Sequence, residues 1–207
     1  MHILKIKRNG KYGMVGVATI AISLIASIIV STTVLATNFS GATGGTGCNA
    51  NNMQDNSTMS YFRSSLTTGM YNAVAYTLNN HVAPTDIAVA AEQGSADGNT
   101  DVVYFDADYT TYCGFTWQGP GNGVIGLAQC VSLSGSECQR FDLRFDTSWT
   151  DSQSDDWRRA LSCHETGHSM GLSHRNNAGT EIGCMPAVLT LVVNYSSHDI
   201  VHINANY

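Results

Sequence analysis

His164-Glu165-Thr166-Gly167-His168-Ser169-Met170-Gly171-Leu172-Ser173-His174 is the stretch around which the rest of the chain is organised. On a helix, His164 and His168 point the same way, because one turn takes about 3.6 residues. Two imidazoles on one face can chelate Zn²⁺. Gly171 lets the helix stop and the chain reverse, since glycine accepts the left-handed backbone that helix ends need. The reversal can bring His174 back as a third nitrogen ligand. Three protein ligands leave a fourth tetrahedral position for water, the arrangement of catalytic rather than structural sites. Glu165, next to the first ligand, is then placed to take a proton from that water. Three histidines, one glutamate and one glycine at these places arise by chance in about one chain in 10⁵.

The spacing His-Glu-x-x-His-x-x-Gly-x-x-His resembles that of the metzincin zinc peptidases, and the local run looks most like the matrixin branch. The resemblance implies an α/β fold: a mixed twisted sheet with two long helices, the zinc-site helix at a cleft, and a small C-terminal lobe. That lobe would carry a methionine turn and a final helix. Met185 matches the methionine, with Pro186 beside it, although its separation from His174 is longer than usual in matrixins and Cys184 is foreign to them. Gly126, Leu127, Ala128 and Gln129 resemble the edge strand against which an extended substrate pairs. Ser196-Ser197-His198-Asp199-Ile200 resembles the start of the closing helix. Some metzincins use a tyrosine after the turn to stabilise an oxyanion, which makes Tyr195 a candidate, at a different spacing.

Composition limits the alternatives. The chain has 207 residues, enough for one domain with a sizeable core. Its net charge is −6, and four of the ten cationic residues (Lys5, Lys7, Arg8 and Lys11) lie in the first eleven positions, so without them the remainder carries −10. Such an acidic chain is unsuited to nucleic acid. The basic start and the apolar run from Met14 to Leu35 read as a secretory signal, residues 1–36, cut after Ala36. The run is also long enough to stay as an uncleaved membrane anchor, since about 20 apolar residues span a bilayer. Either way the rest is exported, the basic end remaining inside.

All six cysteines follow that segment, as expected of three disulfides in an exported chain. Fifteen pairings are open. Cys130 and Cys138 are close enough to staple a hairpin; Cys163 precedes the first ligand and Cys184 precedes Met185, so those two are expected to bond and tie the ligand helix to the loop beneath it, and Cys48 and Cys113 remain as the third pair. A rival use of Cys48 is a thiolate that occupies the metal, but the sequence around it lacks the matrixin switch.

Residues 37–52 are rich in Gly and Thr and read as a flexible linker, leaving 53–207 as the catalytic domain. From Ser57 to Asn80, Tyr61, Leu66, Met70, Ala73, Val74 and Leu78 recur mostly at three- and four-residue spacings, predicting a helix. Asp86–Ala91 and Asp101–Phe105 are short strand candidates. Between them Asp97, Asn99 and Asp101 alternate like the start of a Ca²⁺ loop but lack its glycine and glutamate, so a turn is the plainer reading. Cys113–Gly123 reads as an irregular loop. Val124–Val131 reads as a strand, and Phe141, Leu143 and Phe145 alternate with Asp142, Arg144 and Asp146 as a half-buried one. Ser152-Gln153-Ser154-Asp155 predicts a capping box opening the ligand helix. Thr190, Leu191 and Val192 fall in the loop expected to line the pocket beside the zinc. His198 and His202 are again four apart, the spacing of a second metal site; with no carboxylate at a convincing ligand position, packing or surface histidines are the plainer reading.

These features predict a secreted, monomeric zinc endopeptidase acting on proteins or peptides, with one catalytic Zn²⁺ and no sequence support for Ca²⁺. The alternatives are an exported protein that binds zinc without turning over peptides, and a membrane-anchored ectodomain with the same chemistry.

Overall fold

A computed structural model describes residues 38–48, 51–117, 123–175 and 183–207. The expected signal or anchor, 1–36, lies outside the described residues. Among those described, no helix is long and apolar enough to cross a membrane.

The domain is mixed α/β. Its main sheet has five strands: β1 (Thr58–Ser65), β2 (Ala88–Glu92), β3 (Val102–Ala107), β6 (Gly126–Ser134) and β7 (Glu137–Asp146), in the order β2-β1-β3-β7-β6. The first four in that order run parallel, and β6 lies antiparallel on the β7 edge. The helices are α1 (Thr68–Thr77), a four-residue α2 (Thr147–Thr150), α3 (Asp155–Ser169) and α4 (Ser197–Asn206). A π-helical turn, Leu78–Val82, extends α1. Met70 and Val74 from α1, Leu78 from the π-helical turn and Leu161 from α3 are buried in one core with Met59, Tyr104, Phe141, Leu143 and Phe145 from the strands. At about 25 cal/mol per Å², full burial of each such side chain contributes about 1.5–3 kcal/mol.

The single helix expected from Ser57 to Asn80 is instead a strand followed by a helix. The first residues include β-branched Thr58 and aromatic Tyr61 and Phe62, types that strands favour, and they lie between two parallel neighbours, where an alternating pattern is weak. Thr67 marks the break: its N–H and Oγ1 both donate to Asp106 Oδ2, at 2.7 Å each. The three- and four-residue spacing thus ran across a junction. Gly69 is a contact point, since a Cβ there would lie 2.7 Å from Arg158 Nε on α3.

The expected half-buried strand, β7, is covered on both faces. Phe141, Leu143 and Phe145 face the core, yet Asp142 and Asp146 are also buried. Asp142 pairs with Arg144 and Arg140, and the Arg144 guanidinium lies over the rings of Phe105 and Tyr112. Asp146 caps α2, accepting from Ser148 N–H. Cys113–Gly123, expected to be irregular, contains part of a two-strand ribbon, β4 (Thr111–Tyr112) and β5 (Phe115–Thr116), in which Tyr112 packs with the flanking Tyr109 and Trp117; 118–122 lie outside the described residues. The stretch from Asp97 to Asp101 is a turn in which Asp97 accepts from Asn99 N–H and Asp101 from Ser60.

The expected capping box does not form. Ser154, not Ser152, is the N-cap of α3, without a side-chain bond, and Ser152 Oγ donates to Trp149 O. The box at Ser196 does form: Ser196 Oγ accepts from Asp199 N–H, and Asp199 accepts from Ser196 N–H.

Three disulfides close the domain: Cys48–Cys113, Cys130–Cys138 and Cys163–Cys184. They fit an oxidising, extracellular environment and leave no free thiol at Cys48. The stretch read as a flexible linker is docked wherever it is described. Ser40 N–H donates to Gly171 O, Gly44 N–H to Ser136 O and Gly47 N–H to Cys130 O, while Asn38 and Asn52 are buried. Its glycines supply turns with positive φ at 41, 44 and 47; what looked like linker composition is turn chemistry.

Candidate metal centre

Helix α3 carries His164 and His168 on one face, one turn apart. It ends where Gly171 takes φ 87°. Leu172 N–H donates to Gly167 O and Gly171 N–H to His168 O, the paired bonds of a Schellman motif. The reversed chain returns His174 to the other two histidines. The Nε2 atoms of His164 and His168 stand 3.1 Å apart, and His174 Nε2 is 3.1 Å from the first and 3.2 Å from the second.

The other ring nitrogens are engaged. His164 Nδ1 donates to Cys184 O at 2.8 Å, and His168 Nδ1 to Leu172 O at 2.7 Å. Those bonds set the tautomer, so each Nε2 offers its lone pair inward. Burial pushes His164 well below its ordinary pKa and His168 down to about 4, with neighbouring imidazoles adding to both, and burial lowers His174. Three imidazoles held towards the neutral form therefore face one point, two of them with the Nε2 lone pair fixed inward. Donors about 2.0–2.1 Å from a common ion stand about 3.0–3.4 Å apart at near-tetrahedral angles. His164, His168 and His174 fit that requirement and could hold a metal ion.

Glu165 is buried beside the first histidine. Burial pushes its carboxyl up to about 8, against the lowering effect of the hydrogen bond it accepts from the Ala128 backbone N–H. A Cβ at Gly126 would overlap Glu165 Oε1 and lie 2.9 Å from its Cδ. The strand and the carboxylate are thus in close packing, which only glycine permits.

Gly126, Leu127, Ala128 and Gln129 lie on β6, the outer strand on that side of the sheet. Ile125 O accepts from Asp146 N–H on β7, so by alternation Gly126, Ala128 and Cys130 turn their backbone groups outward. Cys130 O is covered by Gly47 N–H, and Ala128 N–H is engaged by Glu165. A cavity of about 980 Å³ runs along this edge to Glu165 and the three histidines. Trp149, Trp157 and Leu161 contribute to its walls, and Ala187, Val188 and Leu189 line it in place of the expected Thr190, Leu191 and Val192.

Met185 is buried, its sulfur over Gly167 of α3, where a Cβ would overlap it. The Cys163–Cys184 bond holds the carbonyl of Cys184 beneath His164. Tyr195 is not in the cleft: its hydroxyl donates to Cys163 O at 3.0 Å and is buried, so it braces α3 and is not placed to meet an oxyanion. Sequence reading missed Trp149, which no spacing flags, and the Leu172 and Cys184 carbonyls, which are backbone groups and leave no residue-type signal.

A scan against protein-family models and a search of curated proteins returned no match to this chain.

Proposed function

We propose that the chain is an exported zinc endopeptidase of metzincin type, acting on extended protein or peptide segments. The observation that carries the reading is the convergence of three Nε2 atoms at 3.1–3.2 Å beside a buried carboxylate, at the end of a cavity along an outer strand. The donor set of three imidazoles favours zinc over calcium or magnesium, and three ligands leave a position open. Zn²⁺ held there supplies a Lewis acid that acidifies water and polarises a carbonyl.

The chain's own groups do the rest. His164, His168 and His174 hold the ion, oriented by Cys184 O and Leu172 O. Glu165 takes a proton at its carboxylate and returns it to the leaving amine. Its buried position keeps proton affinity near neutral pH, where one group can do both, and a cation nearby draws that affinity down. The outward backbone of Gly126 and the Ala128 carbonyl can pair with an extended substrate, as strands are added to open sheet edges. The trough walls, Trp149, Trp157 and Leu161, suit apolar side chains. Met185 supports α3 from below.

The test is digestion of a denatured protein by the purified exported domain, with and without chelator. Cleavage that chelator stops and Zn²⁺ restores is the expected result. A zinc-loaded domain that leaves every denatured protein intact overturns the reading and favours the non-catalytic alternative.

A further inference from the structure

We propose that His198, His202 and Asn38 form a second metal site, a clasp for a divalent transition ion that fastens segment 38–40 to α4. The Ser196 capping box starts α4 so that His198 and His202 lie one turn apart on the same face. Their Nε2 atoms are 3.1 Å apart, the same separation as between His164 and His168. Asn38 Oδ1 lies 3.0 Å from His198 Nε2. The Asn38 amide is oriented independently, because its Nδ2 donates to Asp199 Oδ1 at 2.8 Å. The atom it turns to His198 is therefore the oxygen.

A single proton serves both of these contacts only as a shared, weakened bond. The Nε2 of a neutral imidazole holds one hydrogen or one lone pair. If His198 Nε2–H donates to Asn38, His202 Nε2 gains no good partner from it. If His202 Nε2–H donates to His198, the receiving lone pair faces the Asn38 oxygen. A cation held between the two imidazole nitrogens, with the Asn38 oxygen beside His198, takes up these lone pairs together. Two imidazole nitrogens and an amide oxygen suit zinc, cobalt, nickel or copper better than calcium or magnesium. Asn38 and His202 are nearly fully buried, and the Phe39 ring stacks on His202 at 6.1 Å. Asp199 does for Asn38 what the Leu172 carbonyl does for His168: it fixes the ligand from behind.

The clasp also reaches the first site. Asn38 O accepts from Ser173 N–H at 2.6 Å and Ser40 N–H donates to Gly171 O at 2.8 Å. Phe39 bridges to Leu172. The segment that the ion fastens is thus paired with the three residues preceding His174. Filling the clasp steadies the turn that delivers the third histidine.

The test is metal content per chain by mass spectrometry, on exported protein loaded with Zn²⁺ alone and dialysed. Two ions are expected for the wild type, one for His198→Gln, one for His168→Ala, and none for the combination. Backbone amide exchange at Ser173 should quicken in His198→Gln. His202→Ala should match it, but the buried site makes His198→Gln, at a half-buried position, the safer variant. One ion in the wild type that His168→Ala removes and His198→Gln retains overturns the clasp. So do two ions that both survive His198→Gln. One ion lost with His198→Gln but kept in His168→Ala supports the clasp and counts against the first site instead.

Discussion

Two histidine pairs in this molecule share a spacing, a helical setting and a separation between nitrogens, yet their surroundings differ. His164 and His168 face a cavity, with Glu165 alongside and an outer strand above. His198 meets a buried asparagine, and the neighbouring carboxylate, Asp199, is occupied by Ser196 and Asn38. Four-residue spacing provides a grip in both places. What the grip is for depends on the neighbours: a buried carboxylate at a cavity offers proton transfer, while a carboxylate tied into a helix cap offers only orientation.

The largest effect expected from this contrast is at Glu165. Glu165→Gln keeps the shape and the metal and removes the base, so kcat falls by about 10²- to 10⁴-fold, with metal content unchanged. Steady-state hydrolysis of a quenched peptide alongside metal analysis checks both halves. Wild-type turnover by a metal-loaded Gln variant erases the distinction between the two pairs. Gly126→Ala is the next largest. Its Cβ would overlap the carboxylate, and a displacement of about 1 Å at a reacting group costs up to about 10²-fold. Rate should drop while metal content and far-UV circular dichroism stay as in the wild type. An unchanged rate means that Glu165 moves freely and that its close packing against the strand is unimportant.

Legibility followed the same divide. The histidine triad could be read because its geometry is local: a helix, a glycine turn and eleven consecutive residues. The helix start at Ser196, read from its resemblance, and the strand from Phe141 to Phe145 were legible for the same reason, each being a pattern within one element. Of the clasp only the histidine pair was legible, because its third donor lies 160 residues from His198 in sequence and an asparagine carries no ligand signature. The junction at Thr67 failed differently, its deciding contact to Asp106 being 39 residues away. Residues 37–52 misled through composition: glycine and threonine mark turns as readily as linkers, and only the partners on Gly171, Ser136 and Cys130 tell which.

Gly171→Ala bears on both pairs together. Its φ of 87° is strained for any residue with a side chain, and the added Cβ would lie 2.8 Å from Phe39. The expected loss is about 1–3 kcal/mol of stability, read as a lower urea midpoint. Because this turn joins His168 to His174 and pairs with segment 38–40, weaker metal retention should accompany it. A variant that is less stable yet holds metal as firmly as the wild type separates the turn from ligand delivery.

A third polar cluster sharpens the comparison by having nothing left over. At the opposite side of the sheet from β6, Arg63 donates to both oxygens of Glu92 and lies over the ring of Tyr71. Each guanidinium nitrogen here meets an acceptor, Tyr71 O taking the third, so no foreign ion is called for, and the pair's contribution is that of a salt bridge with a partly exposed carboxylate. The hydrogen bond from Arg63 holds the Glu92 carboxyl below its ordinary range. A carboxylate depressed in the folded state adds stability above its unfolded pKa, about 4.3, and loses that contribution as pH falls through the folded value. Glu92→Gln should therefore cost less than about 1 kcal/mol at pH 7, and the difference from wild type should vanish by about pH 2–3, where both forms are neutral. Urea unfolding at the two pH values measures it. A cost that persists in acid assigns the contribution to packing against Tyr71 rather than to charge, and metal content should be the same in both proteins throughout.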